Sequence, residues 1–545
     1  MKICLAQLNF HIGNFDANVK KMVDAVLVAK EQKADIVCFP ELATCGYPPR
    51  DFLEFDDFIR LSENCINQLL PYSNDIAIVV GSPSKNPRIE GKDLFNSVYF
   101  LFEGNIQFVQ HKTLLPTYDI FDEYRYFEPA NIFGVVSFKG KKIALTVCED
   151  IWNIGNENPL YTICPMDEMM PLKPDFMINV SASPFAFDHA QERLHVLRCN
   201  AEKYKIPIFY VNQVGAQTEI IFDGGSVVMS PDGLVYQEMV YFEEEIKTFI
   251  LGDVMEGNKE NLQKKEKIKD IHDALILGLK DYFYKLGFSK AILGLSGGID
   301  SAVTAVLAAK ALGHENVRVL LMPSQFSSQH SVDDAVALAQ KLQILYDILP
   351  IQPMFDSFLN SLSSIFQDKE FDVTEENIQA RVRGILNMAV SNKFGHILLN
   401  TTNKSEMAVG YGTLYGDLCG GLSVIGDVYK TDVYRLAEYI NKEEVIIPLN
   451  TIHKPPSAEL RPNQKDSDSL PEYDVLDEIL LLYIEENKGP QEIIDLGFDE
   501  KLVKRILRLV NINEFKRHQT APVLRVTSKA FGVGRRMPIV GKYLS

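Results

Sequence analysis

Three polar residues stand where an apolar strand gives way to a loop. Glu41 follows DIVCFP, Lys112 follows a strand that runs into HKTLLP, and Cys148 ends KIALTV. A lone cysteine usually packs a core. Cys148 instead meets a loop and is followed directly by Glu149 and Asp150, groups that core packing does not need. A fourth place is S-G-G-I-D-S, residues 296–301, between the apolar AILGL and a helix-forming run. Its glycine pair permits a tight turn and close backbone approach, and N–H groups at the helix start form an anion site. The segment lacks the G-K-[ST] ending of a phosphoryl-transferring P-loop. A thiol, a carboxylate and an ammonium in one half and a phosphate cradle in the other point to two chemistries in one chain.

Short apolar strands and helical stretches alternate through the first 250 or so residues. Strands are expected at 2–8, 35–41, 76–82, 97–102, 142–150, 176–183, 207–213 and 226–231. Several have continuous apolar cores, which suits burial on both faces. Asn18 to Lys33 and His189 to Tyr204 read as amphipathic helices. GNKENLQKKEKIKD is then polar with no apolar face until Ile268, so the expected domains are 1–255 and 267–545 with a linker at 256–266. Beyond it a helix (267–286), the strand AILGL (291–295), the glycine turn, a helix from Ser301 to Leu312 and a strand (318–323) make a doubly wound unit, with a further strand at 395–400. The polar, proline-rich stretch 453–473 reads either as a surface loop or as a mobile lid.

Bulk properties narrow the class. With 545 residues the chain exceeds one ordinary hydrophobic core, and 46% apolar with 23% charged residues is ordinary globular composition. A formal charge of −18 argues against a general DNA or RNA binder but leaves room for a local basic nucleotide pocket. The start, MKICLAQLNFHIGNF, does not read as a signal peptide, and no run reaches the roughly 18 uninterrupted apolar residues of a membrane span. Eight cysteines without a C-x-x-C pair suggest reduced thiols and a cytoplasmic setting.

F-P-E-L, H-K-x-x-L-P and V-C-E-D-I-W occur in chain order, and together they resemble the nitrilase/amidase superfamily. The resemblance implies an α/β fold with a four-layer αββα sandwich and a Cys-Glu-Lys triad. Cys148 is then the nucleophile, Glu41 the general base and Lys112 the stabiliser of the oxyanion. The chemistry needs these types: an ordinary thiol is mostly neutral at pH 7, so a carboxylate must take its proton as it attacks an amide carbon. Glu123 matches the superfamily's extra acid, with a substrate-positioning role. Tyr118, Ser183 and His189 fall where glutamine-hydrolysing members hold the α-amino and carboxylate groups, His189 at a place where Lys or Arg is expected more often. Tyr47 and Trp152 are further candidates for the lining, although aromatic packing explains them equally.

In the second half, S-G-G-I-D-S resembles the ATP-pyrophosphatase signature, which implies cleavage between the α- and β-phosphates of ATP. E-E-N-I-Q-A-R-V-R (375–383), T-T-N-K-S-E (401–406), G-Y-G-T-L-Y-G-D (410–417) and G-D-V-Y-K-T-D-V-Y (426–434) extend the likeness to the NAD+ synthetase domain, a doubly wound parallel sheet of the adenine nucleotide α-hydrolase-like kind. With a nitrilase-type domain in front, the whole chain resembles the two-domain, glutamine-dependent NAD+ synthetase family. The implied substrates are glutamine, ATP and nicotinic acid adenine dinucleotide (deamido-NAD+), whose carboxylate is adenylated and then amidated. By the same likeness Gly294, Leu295, Ser296, Gly297, Gly298, Ile299, Asp300, Ser301, Arg381, Thr401 and Lys430 contact ATP. Asn377, Glu406 and Lys516 hold the dinucleotide, and Asp300 and Glu406 are the ligands of Mg²⁺, the implied cofactor. Lys516 and Arg517, with Arg535 and Arg536 beyond, are the one basic concentration near the end. The family also implies an ammonia tunnel between domains and a homodimer or larger homo-oligomer, without nucleic acid or membrane partners. Competing readings are another ATP-pyrophosphatase ligase, an amidohydrolase with a nucleotide-sensing half, and a non-enzymatic scaffold.

Overall fold

The computed structural model describes residues 1–154, 160–257, 262, 265–367, 369–462 and 464–544. Within the expected linker 256–266, residues 258–261 and 263–264 lie outside the described residues. The chain folds as two compact units, Met1–Lys265 and Glu266–Ser545.

The first unit contains two six-stranded sheets. One runs Glu245–Ile250, Lys2–Gln7, Ile36–Cys38, Ala77–Lys85, Leu94–Phe102, Asn105–His111 across its width. The other runs Val235–Glu238, Val227–Met229, Ile208–Asn212, Phe176–Ser181, Lys141–Val147, Val136–Phe138. Both have parallel pairs at the centre and antiparallel pairs outside them. Strand Lys2–Gln7 shows why the sequence reads as an unbroken apolar run. Ile3 and Leu5 join the core that holds residues of both sheets, whereas Cys4 and Ala6 pack against the helices Phe15–Glu31 and Asp56–Leu69. Both faces are buried, so both phases of the two-residue period must be apolar. Helices Pro165–Met169 and His189–Tyr204 cover the outer face of the second sheet through Met166, Met169, Val196 and Leu197. The layers are therefore αββα. The strand expected at 142–150 stops at Val147, because Cys148 takes φ +42° and starts a 3-10 turn through Ile151.

The second unit has a five-stranded, fully parallel sheet in the order Leu345–Ile348, Val317–Leu321, Ala291–Gly294, Ile397–Asn400, Leu422–Ser423. Strand order reverses direction between Ala291–Gly294 and Ile397–Asn400. In such sheets the crevice beyond the carboxyl ends of those two strands is where ligands bind. Helix Ile299–Leu312 follows the first of them directly and packs on helices Lys267–Leu286 and Lys430–Ile440. On the other face, Ile292, Leu320 and Leu398 pack with Phe355 and Val382 from helices Gln352–Phe366 and Val373–Phe394. The second of these helices starts at a capping box: the Asp372 carboxylate accepts from Thr374 N–H, and Glu375 accepts from Asp372 N–H.

Candidate functional site

In the first unit, three strand ends converge. Glu41 lies just past Ile36–Cys38, and its segment presses on the neighbouring strand at Gly81. A Cβ there would lie 2.4 Å from Leu42 N and 2.6 Å from the Pro40 carbonyl, so only glycine allows the approach. Lys112 follows Asn105–His111 and is fully buried; its Nζ donates to Glu41 Oε1 at 2.7 Å and to the Glu123 carboxylate at 2.8 Å. Asn96 Nδ2 also donates to Glu41 Oε1 at 2.7 Å, Ala182 N–H donates to Oε2, and the Tyr47 hydroxyl donates to Glu123. Burial works against the Lys112 charge, but Glu123 and Glu41 outweigh it and hold the ammonium well above its ordinary range. Glu123 is pushed up by burial against the opposing pull of Lys112.

Cys148 sits buried at the start of its turn. Asp150, two residues on, accepts from Val147 N–H with one oxygen and from Thr113 and Leu114 N–H with the other. It thereby ties the cysteine turn to the lysine loop, and burial lifts its own carboxyl to about 6. Burial also drives the Cys148 thiol well above its ordinary range, with Glu41 adding to the rise and Lys112 opposing it. The thiol is protonated at rest, and a base is needed to make it a nucleophile.

Around this triad lies a set of groups suited to an amino acid. The Tyr118 hydroxyl donates to both Glu149 oxygens at 3.0 and 3.1 Å, and Tyr161 donates to the same carboxylate at 3.0 Å. Burial raises the Glu149 carboxyl to about 7. Ser183 N–H donates to Asn212 Oδ1, and Ser183 Oγ lies 3.2 Å from His189 Nε2, whose ring stacks on Trp152. Glu149 has no role in the sequence reading. Its adjacency to Cys148 was the available signal, but the two tyrosines that mark it come from residues 31 and 12 positions away.

In the second unit, a cavity of about 300 Å³ opens at the reversal of strand order. It is lined by Gly294, Leu295, Ser296, Gly298, Ile299, Asp300 and Ser301, and by Thr401, Glu406 and Lys430. Gly297 does not line it but makes the loop possible. At φ +81° its backbone passes Ser331 so closely that a Cβ would sit 2.1 Å from the carbonyl oxygen. Ser301 Oγ donates to the Gly298 carbonyl, and Ser296 Oγ accepts from Gly298 N–H, which holds the turn open at the helix start.

Asp300 and Glu406 converge on one cation. Lys430 Nζ donates to Asp300 Oδ2 and lies 3.3 Å from Glu406 Oε1, while Asn403 Nδ2 donates to Asp300 Oδ1 at 2.9 Å. Burial lifts the Glu406 carboxyl to about 8, with Asp300 adding to the rise and Lys430 opposing it. Lys430 stays raised because the two acids outweigh its burial. Two hard oxygen donors aimed at one positive centre fit a Mg²⁺ ion. Among the described residues no cluster of three or more His, Cys, Asp or Glu would cage a metal, so phosphate oxygens and water would complete the shell.

The other expected residues lie elsewhere. Asn377 and Arg381, one helical turn apart, both reach the 413–414 loop: Asn377 accepts from Thr413 Oγ1, and Arg381 Nε donates to the Leu414 carbonyl at 3.3 Å. Lys516 Nζ donates to the Gly410 and Gly412 carbonyls of the same loop. The structure thus groups Arg381 with Asn377 and Lys516 and does not bring it to the cavity. Arg383 lines the cavity instead, with Asn387 one turn further. Two residues turn a helix by about 200°, which separates the two arginines onto different faces. Partial burial lowers the Arg383 guanidinium to about 10 against the pull of Asp417 and Glu459, and its Nε donates to the Met322 carbonyl. Arg517 is buried and donates to the Met407 and Ala408 carbonyls, and Arg535 pairs with Glu514, so these two arginines brace the C-terminal helices. Of the stretch 453–473, Lys454, Ser457, Glu459 and Asp466 form part of the cavity wall. Glu459 is fastened by Ser328 N–H, Ser328 Oγ and Ser331 Oγ.

Known proteins resemble this chain along its whole length. Residues 2–251 match the carbon-nitrogen hydrolase family and residues 271–520 the NAD synthase family. The chain is 44% identical to the glutamine-dependent NAD(+) synthetase of Synechocystis sp. over 98% of each chain. It is 40% identical to that of Thermotoga maritima over 100% of this chain and 99% of the relative. The solved structure of glutamine-dependent NAD+ synthetase from Acinetobacter baumannii, in complex with ADP, is 38% identical and superimposes with a TM-score of 0.78 over 99% of both chains.

Proposed function

We propose a residue-level mechanism from the premise that this chain belongs to the glutamine-dependent NAD(+) synthetases, ATP-dependent ligases that hydrolyse glutamine and amidate deamido-NAD+. Residues 1–255 carry the glutaminase and 267–545 the synthetase in this reading. The observation that carries it is a buried Cys148 thiol acted on by the charges of Glu41 and Lys112, two groups already bonded to each other.

Glutamine's α-ammonium meets Glu149 and Tyr118, and its α-carboxylate meets Ser183 and His189. Glu41 takes the thiol proton as Cys148 Sγ attacks the side-chain carbon. The oxyanion that forms faces the Lys112 ammonium, a fixed charge in a dry site. Glu41 returns the proton to the leaving nitrogen, ammonia departs, and a thioester remains. Glu41 then draws a proton from water as its oxygen attacks the thioester carbon, and passes that proton to Cys148 Sγ as the C–S bond breaks and glutamate leaves. Glu123 and Tyr47 hold the Lys112 ammonium in place.

In the second unit, the N–H groups at Gly298 and the helix start, with Ser296, Ser301 and Lys430, hold the ATP phosphates, and Arg383 adds a cation. Asn377, Arg381 and Lys516 hold the dinucleotide beside the 410–417 loop. Its carboxylate displaces pyrophosphate from the α-phosphorus, and ammonia then displaces AMP from the carbonyl carbon. Asp300 and Glu406 would hold Mg²⁺, which supplies neutralisation of phosphate charge. Ammonium is no nucleophile, so the ammonia freed at Cys148 must reach the adenylate before it is protonated. We place the enzyme in the cytoplasm, where the eight free cysteines would stay reduced. We also expect it to assemble at least as a homodimer. Exposed Phe358, Ile365, Ile385 and Met388 on helices Gln352–Phe366 and Val373–Phe394 favour a covered face there.

Comparing nitrogen donors tests the division of labour. Cys148→Ala is expected to lose glutamine-driven NAD+ formation while keeping the reaction driven by ammonium salts. Asp300→Ala is expected to keep glutamine hydrolysis and lose pyrophosphate release. A Cys148→Ala protein inactive with both donors, or an Asp300→Ala protein with undiminished NAD+ formation, would overturn it.

A further inference from the structure

His189 opens helix His189–Tyr204, and its ring is 26% exposed. Trp152 lies flat against it, with centroids 5.1 Å apart and 5° between the planes. The stacking leaves the two nitrogen edges to polar neighbours. Nε2 is 3.2 Å from Ser183 Oγ, and Nδ1 is 3.2 Å from the Glu192 carboxylate one turn along the helix. Ser183 is itself fixed by Asn212. On the reading above, the Nε2 edge faces the α-carboxylate of glutamine while the Nδ1 edge faces a carboxylate of the protein.

A neutral imidazole has one N–H and one lone pair; only imidazolium donates from both nitrogens. With a carboxylate at each edge the ring must donate twice. Among the described residues, the charged groups nearest on the surrounding elements are already engaged. Glu149, on the same turn as Trp152, is engaged by Tyr118 and Tyr161, and Arg193, beside Glu192, is spent on a bidentate pair with Asp223. Asp188, just before the ring, is exposed. The Glu192 carboxyl is in turn held below its ordinary range, chiefly by its hydrogen bond to His189.

We propose that glutamine binding in this chain is coupled to protonation of His189, with Glu192 and Trp152 as positioning residues for the ring, so that affinity for glutamine weakens as pH rises through the imidazole range. The inference rests on the proposed glutamine pocket. An arginine at this place would be charged at every accessible pH, whereas histidine makes recognition conditional.

The test is calorimetric titration of glutamine into the full-length Cys148→Ala protein, which cannot turn it over, between pH 6 and 8 in buffers of different ionisation enthalpy. Uptake is expected to approach one proton per glutamine at the alkaline end, with Kd rising up to about tenfold per pH unit. Adding His189→Arg is expected to remove that uptake and flatten the pH dependence. Adding Glu192→Gln, a surface change, is expected to reduce the uptake and start the loss of affinity a few tenths of a pH unit lower, since a partly exposed pair is a modest one. Uptake unchanged by His189→Arg, or a Kd flat from pH 6 to 8, would overturn the coupling while leaving the pocket in place. Absence of glutamine binding at every pH would instead overturn the pocket, and the coupling with it.

Discussion

Replacing Lys112 by methionine keeps most of the stem volume and removes the charge. Two buried carboxylates, Glu41 and Glu123, then lose the ammonium that both contact within 2.8 Å. One of them must take up a proton in the folded state. An unfolded glutamate titrates near pH 4.3, so holding one protonated at pH 7 costs about 2.7 pH units at 1.36 kcal/mol each, or about 3.7 kcal/mol. This is a ceiling, because burial already raises Glu123 in the parent protein. The sign follows from linkage. A folded-state carboxyl raised above its unfolded value is penalised above the unfolded pKa, and the penalty vanishes as pH falls to it. The variant should therefore lose up to about 3.7 kcal/mol at pH 7 but only about 1 kcal/mol at pH 5. Trp152 is the sole tryptophan and lies in the first unit, so tryptophan fluorescence during urea unfolding of the full chain reports on the unit concerned. Glutaminase kcat/KM should fall by about 100- to 1000-fold, the usual cost of removing one oxyanion donor. Ammonia-driven NAD+ formation should be unaffected. Equal destabilisation at both pH values would assign the loss to packing and refute the charge argument. Retained glutaminase activity would refute the oxyanion role.

Two further outcomes concern the nucleotide cavity. Arg383→Ala should raise the KM for ATP about tenfold, the cost of losing one charged hydrogen-bond donor from the cavity wall, whereas Arg381→Ala should act on the KM for deamido-NAD+. Steady-state pyrophosphate release with each substrate varied checks the pair, and a larger ATP effect from Arg381 would reverse the assignment. Gly297→Ala places a methyl group 2.1 Å from the Ser331 carbonyl oxygen at φ +81°, so ATP-dependent activity should be lost while glutamine hydrolysis persists. Wild-type ATP affinity in that variant, measured by nucleotide titration, would show that the loop does not need the close approach.

Much of both candidate sites was legible without coordinates because their polar residues sit at strand ends. An apolar run that stops at a polar residue announces both the strand and the place where its side chains leave the core. Glu41, Lys112, Cys148 and S-G-G-I-D-S were all marked this way. The helices Lys267–Leu286 and His189–Tyr204 were equally plain from their apolar period. Where strand 142–150 was expected to continue, the positive φ of Cys148 ended it, a backbone choice that no side-chain pattern signals.

What the chain alone determined, then, was which residue types stand at the ends of its strands and turns, since local periodicity dictates where the backbone leaves a core. Only tertiary packing decided which neighbours those residues meet. The rotation of helix Val373–Phe394 on its sheet turned Arg383, rather than Arg381, into the cavity. The approach of segments separated in sequence set two tyrosines on Glu149, one lysine between Asp300 and Glu406, and the Trp152 indole on the His189 ring. Such contacts depend on how whole elements are oriented against each other, and residue spacing along one element carries no record of that orientation.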